Sequence, residues 1–251
     1  MQRTSLVGGP CEAIEGSAAV QQPRTMPDGR QVCVRDDDGW LDVWIDGRPV
    51  LRDATEHAGP TWGPGQRSYA VSPDGTHVAF TANERGFGRL RVVCLATGEV
   101  RELGRGVHGQ VSWECDRISA LRSGARTPTQ VVVYDAHSGE RTVVEVGPVG
   151  EWIDDELVEP ELVEIATDDG AVVHARLYRA DASTRVLVWL HGGPTDQWLV
   201  TWMPRIAHWR SRGWNVLVPD HRGSTGHGRA YQQAMQGRWG ALDVEIGRAH
   251  V

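Results

Sequence analysis

The sequence predicts two architectures in series: a β-propeller fragment built of antiparallel four-stranded blades up to about Pro148, then the opening part of an α/β sheet. Three observations carry this. Short strands recur in pairs around tight turns at a spacing of roughly 40 to 50 residues, four strands per unit, which is the period of a propeller blade. Val186-Leu-Val-Trp-Leu190 and Asn215-Val-Leu-Val218 are apolar runs with no polar alternation, as parallel strands covered on both faces are. A short helical pattern over Arg205–Gly213 joins those two runs, which makes a βαβ unit.

The blade words begin at Met26-Pro-Asp-Gly-Arg-Gln-Val-Cys-Val34, whose Pro27-Asp28-Gly29 predicts a hairpin turn, and continue with Asp42-Val-Trp-Ile-Asp-Gly-Arg48. The pair recurs at Ala70-Val-Ser-Pro-Asp-Gly-Thr-His-Val-Ala-Phe80 with Arg89–Arg101, where Thr97-Gly98 is the tip. It recurs again at Val111–Ser119 with Gln130–Arg141. Pro sets the first turn dihedral and Gly accepts the positive φ that follows, so each word alone is turn chemistry and only the repetition makes a blade. About three blades are visible, fewer than the four to eight that close a ring. Either the chain begins inside a propeller or the ring stays open. Residues 1–22 carry little pattern and are expected to be the worn edge of an earlier blade, which puts the propeller segment at 1–148.

Residues 149–160, with Glu151-Trp-Ile-Asp-Asp-Glu-Leu-Val-Glu-Pro160 at their heart, are acidic and end in Pro, as a linker does. Beyond them Glu161–Thr167 and Ala171–Tyr178 flank Asp168-Asp-Gly170, an Asp-Gly hairpin signal. The sheet segment is expected at 161–244, with a helix over 204–212 and an open edge left where later parallel strands would pair.

The apolar run from Val186 stops at His191-Gly-Gly-Pro194. A bare backbone at the carboxyl end of a parallel strand can approach a substrate carbonyl, and glycines allow the unusual φ that turns an amide outward. The Gly193 N–H is therefore a candidate oxyanion donor, with Gly192 and His191 as its supporting loop. Gly-Gly-Pro is equally at home in a plain turn.

The words His191-Gly-Gly-Pro-Thr-Asp-Gln-Trp198, Pro219-Asp-His-Arg-Gly-Ser-Thr-Gly-His-Gly-Arg229 and Tyr231-Gln-Gln-Ala-Met-Gln-Gly-Arg-Trp-Gly240 resemble the prolyl oligopeptidase family of serine peptidases, in particular its acylaminoacyl-peptidase and dipeptidyl-peptidase-like branch. The resemblance implies that 161–244 is the N-terminal part of an α/β-hydrolase domain, with Val186–Leu190 as its third strand. It implies a serine peptidase acting on short peptides admitted past the propeller. It also implies that the loop after Asp220 lines the pocket floor, where Arg222 forms an ion pair or meets a substrate carboxylate.

The triad that such chemistry needs is not in the chain. No G-x-S-x-G occurs in the 251 residues: Gly223-Ser-Thr-Gly226 has the wrong spacing and Glu15-Gly-Ser-Ala18 the wrong neighbours. In the family the order is Ser, Asp, His, all beyond the loop at 222–228, so His191, His221 and His227 are poor candidates for a general base. The expectation is that His191 braces the Gly-Gly turn and that His227 sits in a polar turn. Glu245–Val251 carries no structural signal and can be encoded by the start of a common sequencing adapter read in frame. A non-native tail on a truncated reading frame is expected, and the chain itself is expected to be inactive.

Two other readings stay open: an esterase or other α/β-hydrolase, and a non-catalytic propeller interaction protein. Composition narrows the partners. A net charge of -7 and a pI near 5.8 offer no basic surface for nucleic acid or an anionic membrane, and every side-chain cation other than His is Arg. Cys11, Cys33, Cys94 and Cys115 form no C-x-x-C pair, and the 10 histidines show no ligand spacing, so free thiols, no metal and no cofactor are expected. No apolar stretch reaches spanning length and the first residues lack the core of a signal peptide; a cytoplasmic protein is expected, with its oligomeric state undetermined.

Overall fold

The computed structural model describes residues 2–3, 12–13, 19–150, 157–193 and 195–242. Two-residue strands β1 (Gln2–Arg3) and β2 (Glu12–Ala13) pair antiparallel ahead of the first blade.

Blade one is β3 (Val20–Thr25), β4 (Gln31–Arg35), β5 (Asp42–Ile45) and β6 (Arg48–Pro49), in that spatial order. Blade two is β7 (Tyr69–Val71), β8 (His77–Glu84), β9 (Phe87–Cys94) and β10 (Val100–Arg105). Blade three is β11 (Val107–Glu114), β12 (Arg117–Gly124), β13 (Thr127–Asp135) and β14 (Arg141–Val146). All three are antiparallel meanders, as the repeat predicts. Both Pro-Asp-Gly words sit at hairpin turns, with φ of 88° at Gly29 and 70° at Gly75, the left-handed region that glycine enters without strain. Asp74 completes its turn by accepting from Ser72 Oγ at 2.6 Å and from the Thr76 amide at 3.0 Å.

The alternating side chains of these strands fill two cores. Met26, Val32, Val34 and Val43 of blade one pack against Tyr69, Val78, Phe80 and Val93 of blade two. Leu90 and Val92 of blade two pack against Val111, Ile118, Val132 and Tyr134 of blade three. Burying Tyr69 leaves its hydroxyl needing a partner, and it donates to the carbonyl oxygens of Gln22 and of Val32, the latter at 3.1 Å.

The remaining strands form one mixed sheet in the order β15 (Glu161–Ala166), β16 (Val172–Tyr178), β18 (Asn215–Asp220), β17 (Val186–Val188). β15, β16 and β18 pair antiparallel, and β17 runs parallel to β18. The crossover between β17 and β18 is helix α1 (Pro204–Ser211), which starts with Pro at its first position, where the missing N–H costs nothing, and lays Ile206 against Val216, Val218 and Tyr178. Gly213, at φ 72°, turns the chain out of the helix, and its amide donates to Arg210 O at 2.8 Å. A second, short helix α2 (Gly228–Gln233) follows the loop after β18.

Three expectations are corrected here. The third-strand run is regular only to Val188; Trp189 still donates to Leu217 O at 2.8 Å, but Leu190 is 46% exposed and the chain then turns away. The far end of the acidic linker is packed: Leu157 is buried and Val158 joins the core under α1, because an apolar pair beside a helix hides more surface docked than dangling. Residues 1–22 contribute a structured strand to blade one from Val20 on. Residues 151–156 of the linker and the tail at 245–251 lie outside the described residues.

Candidate functional site

Parallel pairing puts the end of β17 and the end of β18 side by side, so the His191-Gly-Gly turn and the Asp220–Gly228 loop meet at one sheet end. Gly192 and Gly193 are exposed, and nothing lies within 4 Å of where a side chain at either would sit. Neither lies in the positive-φ region, which corrects the expectation that they are glycine for their dihedrals. What the missing side chains provide is open space over the backbone.

His191 bonds both to its own turn and to the loop after β18. It is buried, and its Nδ1 lies 2.8 Å from Gly192 O, a carbonyl that can only accept, so the Nδ1 carries the proton. The unprotonated Nε2 then accepts from Ser224 Oγ at 2.7 Å. Burial pushes its pKa down, with the bond to Gly192 O opposing and the neighbouring His221 ring, stacked at 4.2 Å, adding to the fall. A Ser–His pair at this distance invites comparison with a nucleophile and its base. Ser224 has 0% exposure, however, and a hydroxyl with no accessible surface cannot attack a substrate; the pair holds the turn to the loop.

The loop is organised by Asp220, the last residue of β18, which has 0% exposure. Arg176 Nη1 and Nη2 donate to its Oδ2 and Oδ1 at 2.6 and 2.5 Å, Gln197 Nε2 donates to Oδ2 at 2.7 Å, and His227 Nε2 donates to Oδ2 at 2.8 Å. Tyr231 Oη donates to the Asp220 carbonyl at 2.6 Å. Burial alone would raise this carboxyl, but the Arg176 and His227 donors outweigh it and bring the pKa to about 2. His227 is thus a buried partner of a carboxylate, where a polar turn residue was expected; it stacks on His174 with ring centroids 4.4 Å apart.

The blades supply the other wall. Asn83 Nδ2 donates to Gln197 Oε1 at 2.6 Å, Val200 donates its amide to Gly86 O at 2.9 Å, and Trp202 donates its amide to Ser123 Oγ at 2.9 Å. Arg176 Nη1 reaches Arg85 O at 3.2 Å. Between blades and loop lies a cavity of about 640 Å³, lined by Asp36, Glu56, Thr195, Thr225, Arg229 and three glutamines, Gln232, Gln233 and Gln236, among others. Arg222 donates to Asp169 in the β15–β16 turn. Among the described residues no group of three His, Cys, Asp or Glu is arranged to hold a metal ion, and no helix is long and apolar enough to cross a membrane.

Residues 200–245 match the sequence model of the prolyl oligopeptidase family. The chain is similar to the prolyl oligopeptidase family over that segment. Over 124 residues it is 32% identical to the probable dipeptidyl-peptidase 5 of Aspergillus flavus, covering 45% of this chain and 17% of that protein. Over 65 residues it is 38% identical to acylamino-acid-releasing enzyme 1 of Oryza sativa subsp. japonica, covering 26% of this chain and 8% of that one. A crystal structure of puromycin hydrolase superposes with a TM-score of 0.89 at 26% identity, over 99% of this chain and 40% of the other. The chain spans less than a fifth of that curated relative's length in alignment and two fifths of the solved one's in fold.

Sequence reasoning found the turn and its histidine, and missed Asp220, Arg176, Gln197, Asn83 and Glu56 as members of the same end of the molecule. A signal existed for the first two: an Arg inside the apolar run Val172–Tyr178 and an Asp closing the apolar run Asn215–Asp220 are buried charges that call for each other. Nothing in the sequence links residues 56 and 83 to the loop, because that contact is made only when blade and sheet dock.

Proposed function

We propose that the mixed sheet is the N-terminal part of an α/β-hydrolase domain, and that a protein carrying this sequence is a serine peptidase cleaving short peptides in the cleft between blades and sheet. The observation that carries the reading is the open His191-Gly192-Gly193 turn at the carboxyl end of a parallel strand, braced from behind by Ser224. In this reading the Gly193 N–H donates to the carbonyl oxygen of the scissile bond as it gains negative charge, and its value lies in being fixed before the charge develops. The neutral His191 ring holds the donor and takes no proton from substrate. The names of the relatives, a dipeptidyl-peptidase and an acylamino-acid-releasing enzyme, support a substrate read from its end, and the polar cavity floored by Gln232, Gln233 and Gln236 supplies amide partners for a peptide backbone.

No G-x-S-x-G word that would carry the nucleophile is present among the 251 residues. The 251-residue chain should accordingly show no labelling by a fluorophosphonate probe. In a longer protein that carries this sequence with a nucleophile, Gly193→Val should lower kcat by roughly a hundredfold or more, because the side chain fills the space that the carbonyl oxygen occupies. Labelling of a serine in the 251-residue chain, or an unchanged kcat in the variant, would overturn the reading.

A further inference from the structure

We propose that Glu56, on the segment between blades one and two, is a positioning residue for the His191–Gly193 turn and acts through the Gly223–Gly228 loop. Glu56 is 4% exposed, and its two carboxylate oxygens accept from two amides of the loop: Oε2 from Gly226 N at 2.9 Å and Oε1 from Gly228 N at 3.1 Å. Hydrogen bonds to a carboxylate are about twice as strong as neutral ones, and two diverging donors fix orientation as well as distance.

The carboxylate is itself anchored. Its backbone bridges Asn83, whose amide donates to Glu56 O at 2.8 Å, and the next residue, His57, donates its amide to Leu41 O at 2.9 Å. Blade one and blade two thus both hold the group that holds the loop. The loop is shaped to receive it: Gly226 and Gly228 have φ of 88° and 79°, and a side chain at Gly226 would run into Gln197 and Asn83.

From Gly226 the restraint travels one or two residues to each contact that matters. Thr225, beside Gly226, donates its amide to Asp196 O at 3.0 Å. Ser224 donates to His191 Nε2 at 2.7 Å. Asp196 and His191 bracket the Gly192–Gly193 turn on its two sides, so a loop held by Glu56 holds both ends of the turn. A buried carboxylate that merely satisfies two amides would have no reason to affect the His191 ring, and that is the difference the experiment reads. The catalytic consequence rests on the oxyanion reading of Gly193, but the positional claim does not.

The test is NMR on the 251-residue chain, following amide exchange at Gly226 and Gly228 and the ring nitrogen shifts of His191. Glu56→Ala should speed exchange at both amides by roughly tenfold to a hundredfold and move the His191 Nε2 resonance, while Val132 and Tyr134 in blade three keep their protection. Glu56→Gln, which keeps one carbonyl acceptor and the volume of the side chain, should preserve one of the two amides, and it decides the matter if the Ala variant does not fold. Unchanged exchange at both glycines overturns the proposal, and so does faster exchange with the His191 ring unmoved. An unchanged kcat for Gly193→Val in a longer protein would remove the oxyanion reading and leave this result standing.

Discussion

Asp220 shows how a single carboxylate can order a whole sheet end. Its four side-chain bonds are made in a site with no solvent, where the attraction to Arg176 is strong and the desolvation of both ions is large. Removing one partner strands the other. Asp220→Asn should lower unfolding free energy by about 3–5 kcal/mol in urea titrations, and pairing it with Arg176→Met should recover part of that loss, since the uncompensated charge goes too. The pH dependence has a definite sign. The folded carboxyl is depressed to about 2 and an unfolded aspartate titrates near 4, so this stabilisation is complete above about pH 4 and is lost as pH falls toward 2. Acid titration of the Asp220→Asn variant should show a shallower loss over that window; an identical acid profile would mean that the pair does not govern it.

The elements divide into those that local chemistry specifies and those that docking completes. The hairpins of blades one and two were legible because Pro-Asp-Gly, Thr-Gly and an alternating apolar strand are all short-range signals, and helix α1 because Pro204 and Gly213 punctuate it at both ends. The third-strand run was over-read by two residues, since apolar character alone cannot say where pairing stops. Strand β17 is one of the two edges of its sheet: among the described residues it pairs with β18 alone, and Val188 is 48% and Leu190 46% exposed. An apolar strand with an unpaired side is a template for another chain. Val188→Lys should reduce light scattering on concentration and sharpen elution on gel filtration while leaving the circular dichroism spectrum intact; equal aggregation in both proteins would place the sticky surface elsewhere.

At the scale of the molecule, the blades and the sheet touch through polar groups more than through a shared apolar core. Asn83 and Gln197, 114 residues apart, meet at 2.6 Å, and Gln197 passes the contact on to Asp220. A double-mutant cycle with Asn83→Ala and Gln197→Ala should therefore return a coupling of roughly 0.5–3 kcal/mol, where independent modules would give none. None of this was legible from residues 56, 83 or 197 in isolation, because each belongs to a locally ordinary segment and gains its partner only across the boundary. The same boundary bears on how the chain comes to be folded at all. Arg176 is bound on one side by the Arg85 carbonyl, already made when Arg176 is synthesised, and on the other by Asp220, which follows 44 residues later. Until Asp220 has left the ribosome, docking β16 on the blades would strand a dehydrated guanidinium with a single carbonyl for company. Closure of the sheet on the blades therefore depends on Asp220 as much as on the blades themselves, since Arg176 needs both partners at once.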